Sequence, residues 1–205
     1  MKSDEPDLYV AQSRAFFATR AATWDERFGD DLPAYSAAVV EAGIAPGTTV
    51  LDVGCGTGRA LPALRAAVGP GGIVIGLDLT DEMLNVARAR GRAELATLVL
   101  GDARHLPLAG RSVDAVFAAG LVMHLPDVPA GLAELARVTR PGGTLVLFHP
   151  TGRAALAARR GRSLRPDEPL ADRPLESLLA GAGWRRNTYD DAPERFFASA
   201  TRTVR

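Results

Sequence analysis

Val50-Leu51-Asp52-Val53-Gly54-Cys55-Gly56-Thr57-Gly58-Arg59-Ala60 reads as a buried apolar strand running into a glycine-rich turn and then a helix. Three glycines at spacing two, Gly54, Gly56 and Gly58, keep side chains away from whatever lies above the turn. A ligand can then approach main-chain N–H groups at a helix N-terminus. The next apolar run, Ile73-Val74-Ile75-Gly76-Leu77-Asp78, ends in an acid. About 20 residues past the turn is where a βαβ unit places the carboxylate that takes both hydroxyls of a ribose. Asp78 could otherwise cap the following helix, but Thr80 and Asp81 already suit that task. A dinucleotide fingerprint, G-x-G-x-x-G, needs its third glycine at position 59, where Arg stands. The spacing therefore argues against a nicotinamide-dependent oxidoreductase.

Outward from this turn, apolar runs alternate with amphipathic segments. Strands are expected at Thr49–Val53, Ile73–Leu77, Thr97–Leu100, Val113–Ala118 and Thr144–His149, with helices over 58–68, 81–91 and 128–139 between them. Continuous apolar strands separated by helices indicate a parallel sheet covered on both faces. Upstream, residues 7–28 carry apolar positions at helical spacing, and a short helix over 32–43 closes at Gly43. Downstream, a helix over 173–182 precedes two strands, Trp184–Asp190 and Arg195–Thr203, joined at Asp190-Asp191-Ala192-Pro193. The expected fold is α/β: a Rossmann-like three-layer sandwich whose seven-stranded, mostly parallel sheet ends in a C-terminal antiparallel hairpin.

The 205 residues suit one domain, and carry 24 basic against 24 acidic side chains for a formal net charge of zero. No global basic footprint for nucleic acid exists. No apolar run approaches the ~20 residues of a membrane span, and Met1-Lys2-Ser3-Asp4-Glu5-Pro6 lacks the apolar core of a secretory signal. Cys55 is the only cysteine, so neither a disulfide framework nor a thiolate metal site is expected, and a cytoplasmic setting is the simplest.

The run D-x-G-x-G-x-G from Asp52 to Gly58 resembles the nucleoside-binding motif of class I S-adenosylmethionine-dependent methyltransferases. Four further segments fall in that family's order. They are Asp78-Leu79, Leu100-Gly101-Asp102-Ala103, Val113–Asp127 with Ala119-Gly120-Leu121-Val122-Met123-His124, and Arg140-Pro141-Gly142-Gly143 before a strand. The likeness is to the ubiquinone/menaquinone-biosynthesis type, with Ala22-Thr23-Trp24-Asp25 matching its upstream W-D segment. It implies S-adenosylmethionine as cofactor, S-adenosylhomocysteine as product, and cofactor contacts at Asp52, Gly54, Cys55, Gly56, Gly58, Asp78, Leu79, Asp102, Ala103, Ala119 and Trp24. In detail, Asp78 would take the ribose hydroxyls, Leu79 would lie under the adenine, and Asp102 with the Ala103 N–H would read the adenine edge. Asp52 and the Ala119 carbonyl would serve the methionine ammonium. Trp24 either covers the methionine end or docks the N-terminal helix on the core.

Methyl transfer from a sulfonium needs alignment and exclusion of water more than a dedicated catalytic motif. His124 and His149 are the candidate bases; His124 packs beside its loop as the alternative. Cys55 reads as a small residue tolerated in the turn, and the cluster Arg159-Arg160-Gly161-Arg162 with Arg165 reads as a solvated, flexible loop, with contact to an anionic substrate as the alternative. The expected layout is one domain over 1–205: a helical lid over 1–45, a cofactor core over 46–150, and a substrate-side loop, helix and hairpin over 151–205. The expected acceptor is a small organic molecule methylated on O, N or C by a monomer or homodimer. A non-catalytic module that binds S-adenosylmethionine is the alternative.

Overall fold

The structure, a computed structural model, describes residues 4–204. The leader reading at Met1-Lys2-Ser3 and the side chain of Phe28 lie outside the described residues. Seven strands form one sheet: β1 Thr49–Val53, β2 Ile73–Asp78, β3 Thr97–Leu100, β4 Val113–Ala119, β5 Thr139–His149, β6 Trp184–Ala192 and β7 Arg195–Arg202. Their order is β3-β2-β1-β4-β5-β7-β6. β1 to β5 run parallel, and β7 is antiparallel to both β5 and β6. The helices are α1 Asp4–Ala18, α2 Trp24–Phe28, α3 Leu32–Glu41, α4 Leu61–Val68, α5 Asp81–Ala89, α6 Val128–Val138, α7 Arg153–Arg159 and α8 Asp172–Gly181. This is the expected Rossmann-like architecture.

Strand alternation builds two cores on one sheet. Leu51 and Val53 of β1 join Val116, Leu145 and Leu147 against Leu132 and Leu135 of α6 and Leu175 and Leu179 of α8. Val50 joins Val74, Phe117, Val146 and Phe148 against Ala38 and Val39 of α3 and Leu61 and Leu64 of α4. Both faces are dry, which is why the strands read as unbroken apolar runs. Trp184 is buried at the α6 side and satisfies its indole N–H on the Leu132 carbonyl at 3.0 Å. Asp127 caps α6 by accepting from the Ala130 N–H at 2.9 Å, with Pro129 in the first turn.

Four local expectations are corrected. The helix expected over 7–28 breaks after Ala18, because Thr19 Oγ1 and the Arg20 guanidinium donate to the Ala15 and Phe16 carbonyls and end it. A 3-10 turn at Ala21–Thr23 and α2 follow. The helix expected from 58 begins at Leu61, since Gly58 has φ +83° and stays in the turn. Arg140-Pro141-Gly142-Gly143 does not turn the chain between helix and strand. It forms an irregular entry to β5, with the pairing shifting between Val113–Thr139 and Ala115–Thr144 and Gly142 at φ +81°. Finally, α7 was absent from the sequence expectations.

α7 is seated on the C-terminal hairpin. Gly152 donates its N–H to the Pro193 carbonyl at 3.1 Å, and a Cβ there would lie 1.7 Å from the Ala192 carbonyl oxygen. Gly152→Ala must push the two backbones apart. It is expected to cost about 2 kcal/mol, roughly 4–8 °C in Tm for a chain of this size. An unchanged melting temperature would show that α7 is not docked there.

Candidate functional site

β1 connects to β2 on one side of the sheet while β4 flanks it on the other, so the carboxyl ends of β1 and β4 diverge at a switch point. A cavity of about 220 Å³ opens there. Gly54 and Cys55 donate their N–H groups to the Leu77 carbonyl at 2.8 and 3.0 Å, fastening the glycine turn to the end of β2. Gly56 lines the cavity at φ +55°, and a Cβ on it would meet nothing within 4 Å. That clear space lies over bare backbone, as a ligand seated on the turn requires.

Asp78 is buried at the floor. Its Oδ2 accepts from the Gly56 N–H and its Oδ1 from the Thr80 N–H, both at 2.8 Å. It therefore shapes the turn as well as facing the cavity, and each oxygen keeps a lone pair for a further donor. Burial outweighs these donors and holds its carboxyl above the usual carboxylate range. Asp52, 1% exposed, is more isolated: its Oδ2 has no hydrogen-bond partner. Burial, with Asp78 nearby, pushes its carboxyl up to about 8. An orphaned acid beside a second acid, in a dry cavity, suits a ligand that brings a cationic donor.

The sign of the Asp52 shift sets a prediction. In the folded chain Asp52 holds its proton where an unfolded Asp has lost it, so its stabilising contribution is complete below about 3.9 and is lost as pH rises through about 8. Asp52→Asn should therefore stabilise the ligand-free protein. Its advantage over wild type should grow by about 1.4 kcal/mol per pH unit from roughly 5 up to about 8, then level off. Melting curves across that range, flat in their difference, would contradict it.

Of the residues the sequence singled out, Asp52, Gly54, Cys55, Gly56, Asp78, Leu79, Asp102, Ala103, Ala119, Trp24, His124 and His149 all line the cavity. Gly58 does not; its Cβ position is filled by the Leu61 side chain, 2.7 Å away, so this glycine serves helix packing. Asp102 is already engaged. Arg104 grips it through its N–H and guanidinium, outweighing burial and drawing its carboxyl below the ordinary range, and reaches on to Asp7 of α1 at 2.9 Å. Trp24 stands edge-on to Phe17, with centroids 5.3 Å apart. Cys55 is buried, and burial raises its thiol well above its usual value, so it is no nucleophile.

The two histidines sit across the mouth. His149 Nδ1 lies 2.9 Å from the Thr151 carbonyl oxygen and 3.1 Å from the Thr151 backbone nitrogen, so it donates to the carbonyl in one ring tautomer and accepts from the N–H in the other. Burial, partly offset by that bond, keeps its pKa below 6.5, with Arg160 and Arg159 adding to the depression. His124 stacks edge-on to Phe17 at 4.9 Å and is also held low by burial, then by Arg160 and His149. Both imidazoles are therefore neutral near pH 7. Val10, Phe17, Leu121, Leu125 and Leu156 make this end apolar.

Sequence reasoning missed a buried ionic staple. Arg59, 6% exposed, pairs with Asp25 at 3.5 Å and with Asp31, and donates to the Gly29 carbonyl at 2.8 Å. Arg92 pairs with Asp25 at 3.1 Å and bonds the Thr57 carbonyl, while Thr57 donates its hydroxyl to Asp25. Burial works against the Asp25 carboxylate, yet Thr57 with Arg92, Arg59 and Arg90, the last 3.2 Å away, brings its pKa down. The staple ties α2 and its flanks to the glycine turn. Its signal was the Asp after Trp24 and the Arg after Gly58, residues too far apart in sequence to be paired by inspection.

Comparison with known proteins identifies residues 51–147 as a methyltransferase domain. A demethylmenaquinone methyltransferase of Staphylococcus aureus is 41% identical over 107 residues, 52% of this chain and 44% of its own length. An uncharacterised transposon-encoded protein of Streptomyces fradiae is 44% identical over 106 residues, 51% of this chain and 31% of its own length. The chain thus spans about a third to a half of the length of such curated relatives. Among solved structures, an S-adenosylmethionine-dependent methyltransferase from Aquifex aeolicus superposes with a TM-score of 0.69 at 27% identity, over 82% of this chain and 89% of that one.

Proposed function

We propose that the chain is a class I S-adenosylmethionine-dependent methyltransferase that methylates an O, N or C atom of a small organic acceptor with S-adenosylmethionine as cofactor. The observation that carries this reading is the orphaned Asp52 beside Asp78 in one cavity with a bare glycine turn. S-adenosylmethionine supplies a methyl group on a positive sulfur that leaves as a neutral thioether.

The protein's own residues then have five tasks. Asp78, held by Gly56 and Thr80, offers its spare lone pairs to the ribose hydroxyls. Leu79 gives the adenine an apolar face, and Ala103 with the engaged Asp102 borders its edge. Asp52 and the Ala119 carbonyl receive the ammonium, which restores the charge that burial makes costly at Asp52. The apolar end, with Phe17, Trp24 and Leu156, aligns the acceptor and excludes water. In the tautomer whose Nδ1–H donates to the Thr151 carbonyl, His149 accepts the acceptor's proton on Nε2, its neutrality kept by burial.

In this reading residues 1–45 form the lid, 46–150 the cofactor core and 151–205 the substrate side. The protein works in the cytoplasm, as a monomer or homodimer and without nucleic acid. Among the described residues no helix is long and apolar enough to cross a membrane. The test is transfer of labelled methyl from S-adenosylmethionine to a panel of phenols, amines, carboxylic acids and stabilised carbon acids. Label in an extractable small product is expected. Tight S-adenosylhomocysteine binding without transfer to any panel member would favour a non-catalytic binding module.

A further inference from the structure

We infer that Arg160 selects an acceptor carrying an anionic oxygen group on an apolar body, by meeting that anion with a guanidinium that has no partner among the described residues. The inference rests on the methyltransferase reading and narrows its acceptor class.

The arginines around α7 are nearly all spoken for. Arg153 pairs with Glu168 at 3.1 Å and Asp191 at 3.2 Å, Arg162 pairs with Glu168, and Arg165 with Asp167 at 3.5 Å. Arg159 reaches the Thr151 hydroxyl at 3.4 Å. Arg160 has no side-chain hydrogen bond and no carboxylate at ion-pair distance among the described residues, yet it lines the cavity. Its position is not that of a loose loop. The Arg153 pairs and the seating of Gly152 against the hairpin hold α7, and Arg160 follows directly on its last residue, its N–H bonded to the Ala157 carbonyl at 3.0 Å.

The cavity is electrically divided. Asp31, Asp52, Asp78 and Asp102 stand on the cofactor side, where the lining Arg59 and Arg104 are taken up by Asp31 and Asp102. Arg160 stands with His124 and His149, close enough for its charge to be felt at both imidazoles. No acid stands with them among the lining residues at this end, which include Val10, Phe17, Leu121, Leu125 and Leu156. Arg160 is exposed at the rim, and a neutral acceptor seated against it would offer its guanidinium no counter-charge in place of water. A carboxylate or phenolate would take charge-assisted bonds from it, bidentate in the carboxylate case. The anion would also complement the positive sulfur of the cofactor.

The test uses the full chain saturated with S-adenosylhomocysteine, titrated calorimetrically with para-toluate, para-nitrophenolate and the uncharged methyl para-toluate. Wild type should bind at least one anion on the order of tenfold more tightly than the ester; the anion preferred separates carboxylate from phenolate recognition. Arg160→Gln should abolish the preference, Arg160→Lys should keep part of it, and all three proteins should bind S-adenosylhomocysteine alike. Equal binding of anions and ester by wild type, including binding of neither, overturns the inference, as does a preference that survives in Arg160→Gln. Failure to bind S-adenosylhomocysteine would instead sink the methyltransferase reading itself.

Discussion

His149→Ala is expected to lower turnover on the natural acceptor by about 10²–10⁴-fold while leaving S-adenosylhomocysteine affinity unchanged. The basis is geometric first. Its ring borders the cavity, and the tautomer whose Nδ1–H donates to the Thr151 carbonyl leaves Nε2 for a proton. Burial lowers its pKa, so the neutral form persists into mildly acid solution and the acidic limb of the rate profile should lie below about 6.5. His124 lies in the same space but packs edge-on against Phe17, so His124→Ala should act on acceptor affinity more than on turnover. Kinetics of both variants on an accepted substrate decide the matter. If both keep full activity, histidine base catalysis is wrong and alignment alone carries the reaction.

Asp78→Ala should weaken cofactor binding by about 3 kcal/mol, somewhat more than a hundredfold. Two losses combine. The ribose loses a buried acceptor, and the Gly56 and Thr80 N–H groups that Asp78 receives lose their partner, so the turn itself loosens. Asp78→Asn keeps one oxygen and the shape, and should fall between the two. Calorimetry with S-adenosylhomocysteine reads this directly. A folded Asp78→Ala protein with unchanged affinity would show that Asp78 only shapes the turn.

The cofactor half of the cavity was legible because its signals are local. β1 and β3 begin and end where the apolar runs do, and Asp52 and Asp78 are each the acid that closes or nearly closes a buried strand. The rest depends on partners distant in sequence. Arg59 reads only as the residue that breaks a dinucleotide fingerprint until Asp25 and Asp31 are brought against it. Arg159, Arg160, Arg162 and Arg165 read as a solvated run because the partners that order this segment, Glu168 and Asp191 on Arg153, lie 15 and 38 residues from it. α7 escaped for the same reason: a short Ala-rich segment without a side-chain cap has little local helical signal, and its seat is the Ala192 backbone. Gly58 was misjudged in the opposite sense. Its spacing matched the ligand-facing glycines, but only the packed Leu61 reveals that it faces inward.

The central claim is that this cavity holds an adenosine joined to a methionine-like amino acid. Its most direct measurement is calorimetric titration of the unmodified chain with S-adenosylhomocysteine and, separately, with NAD, at pH 7 in two buffers of different ionisation enthalpy. S-adenosylhomocysteine should bind at one site, with proton release as its ammonium draws Asp52 down from about 8, and NAD should give no heat of binding. Tight NAD binding with none for S-adenosylhomocysteine would contradict the account.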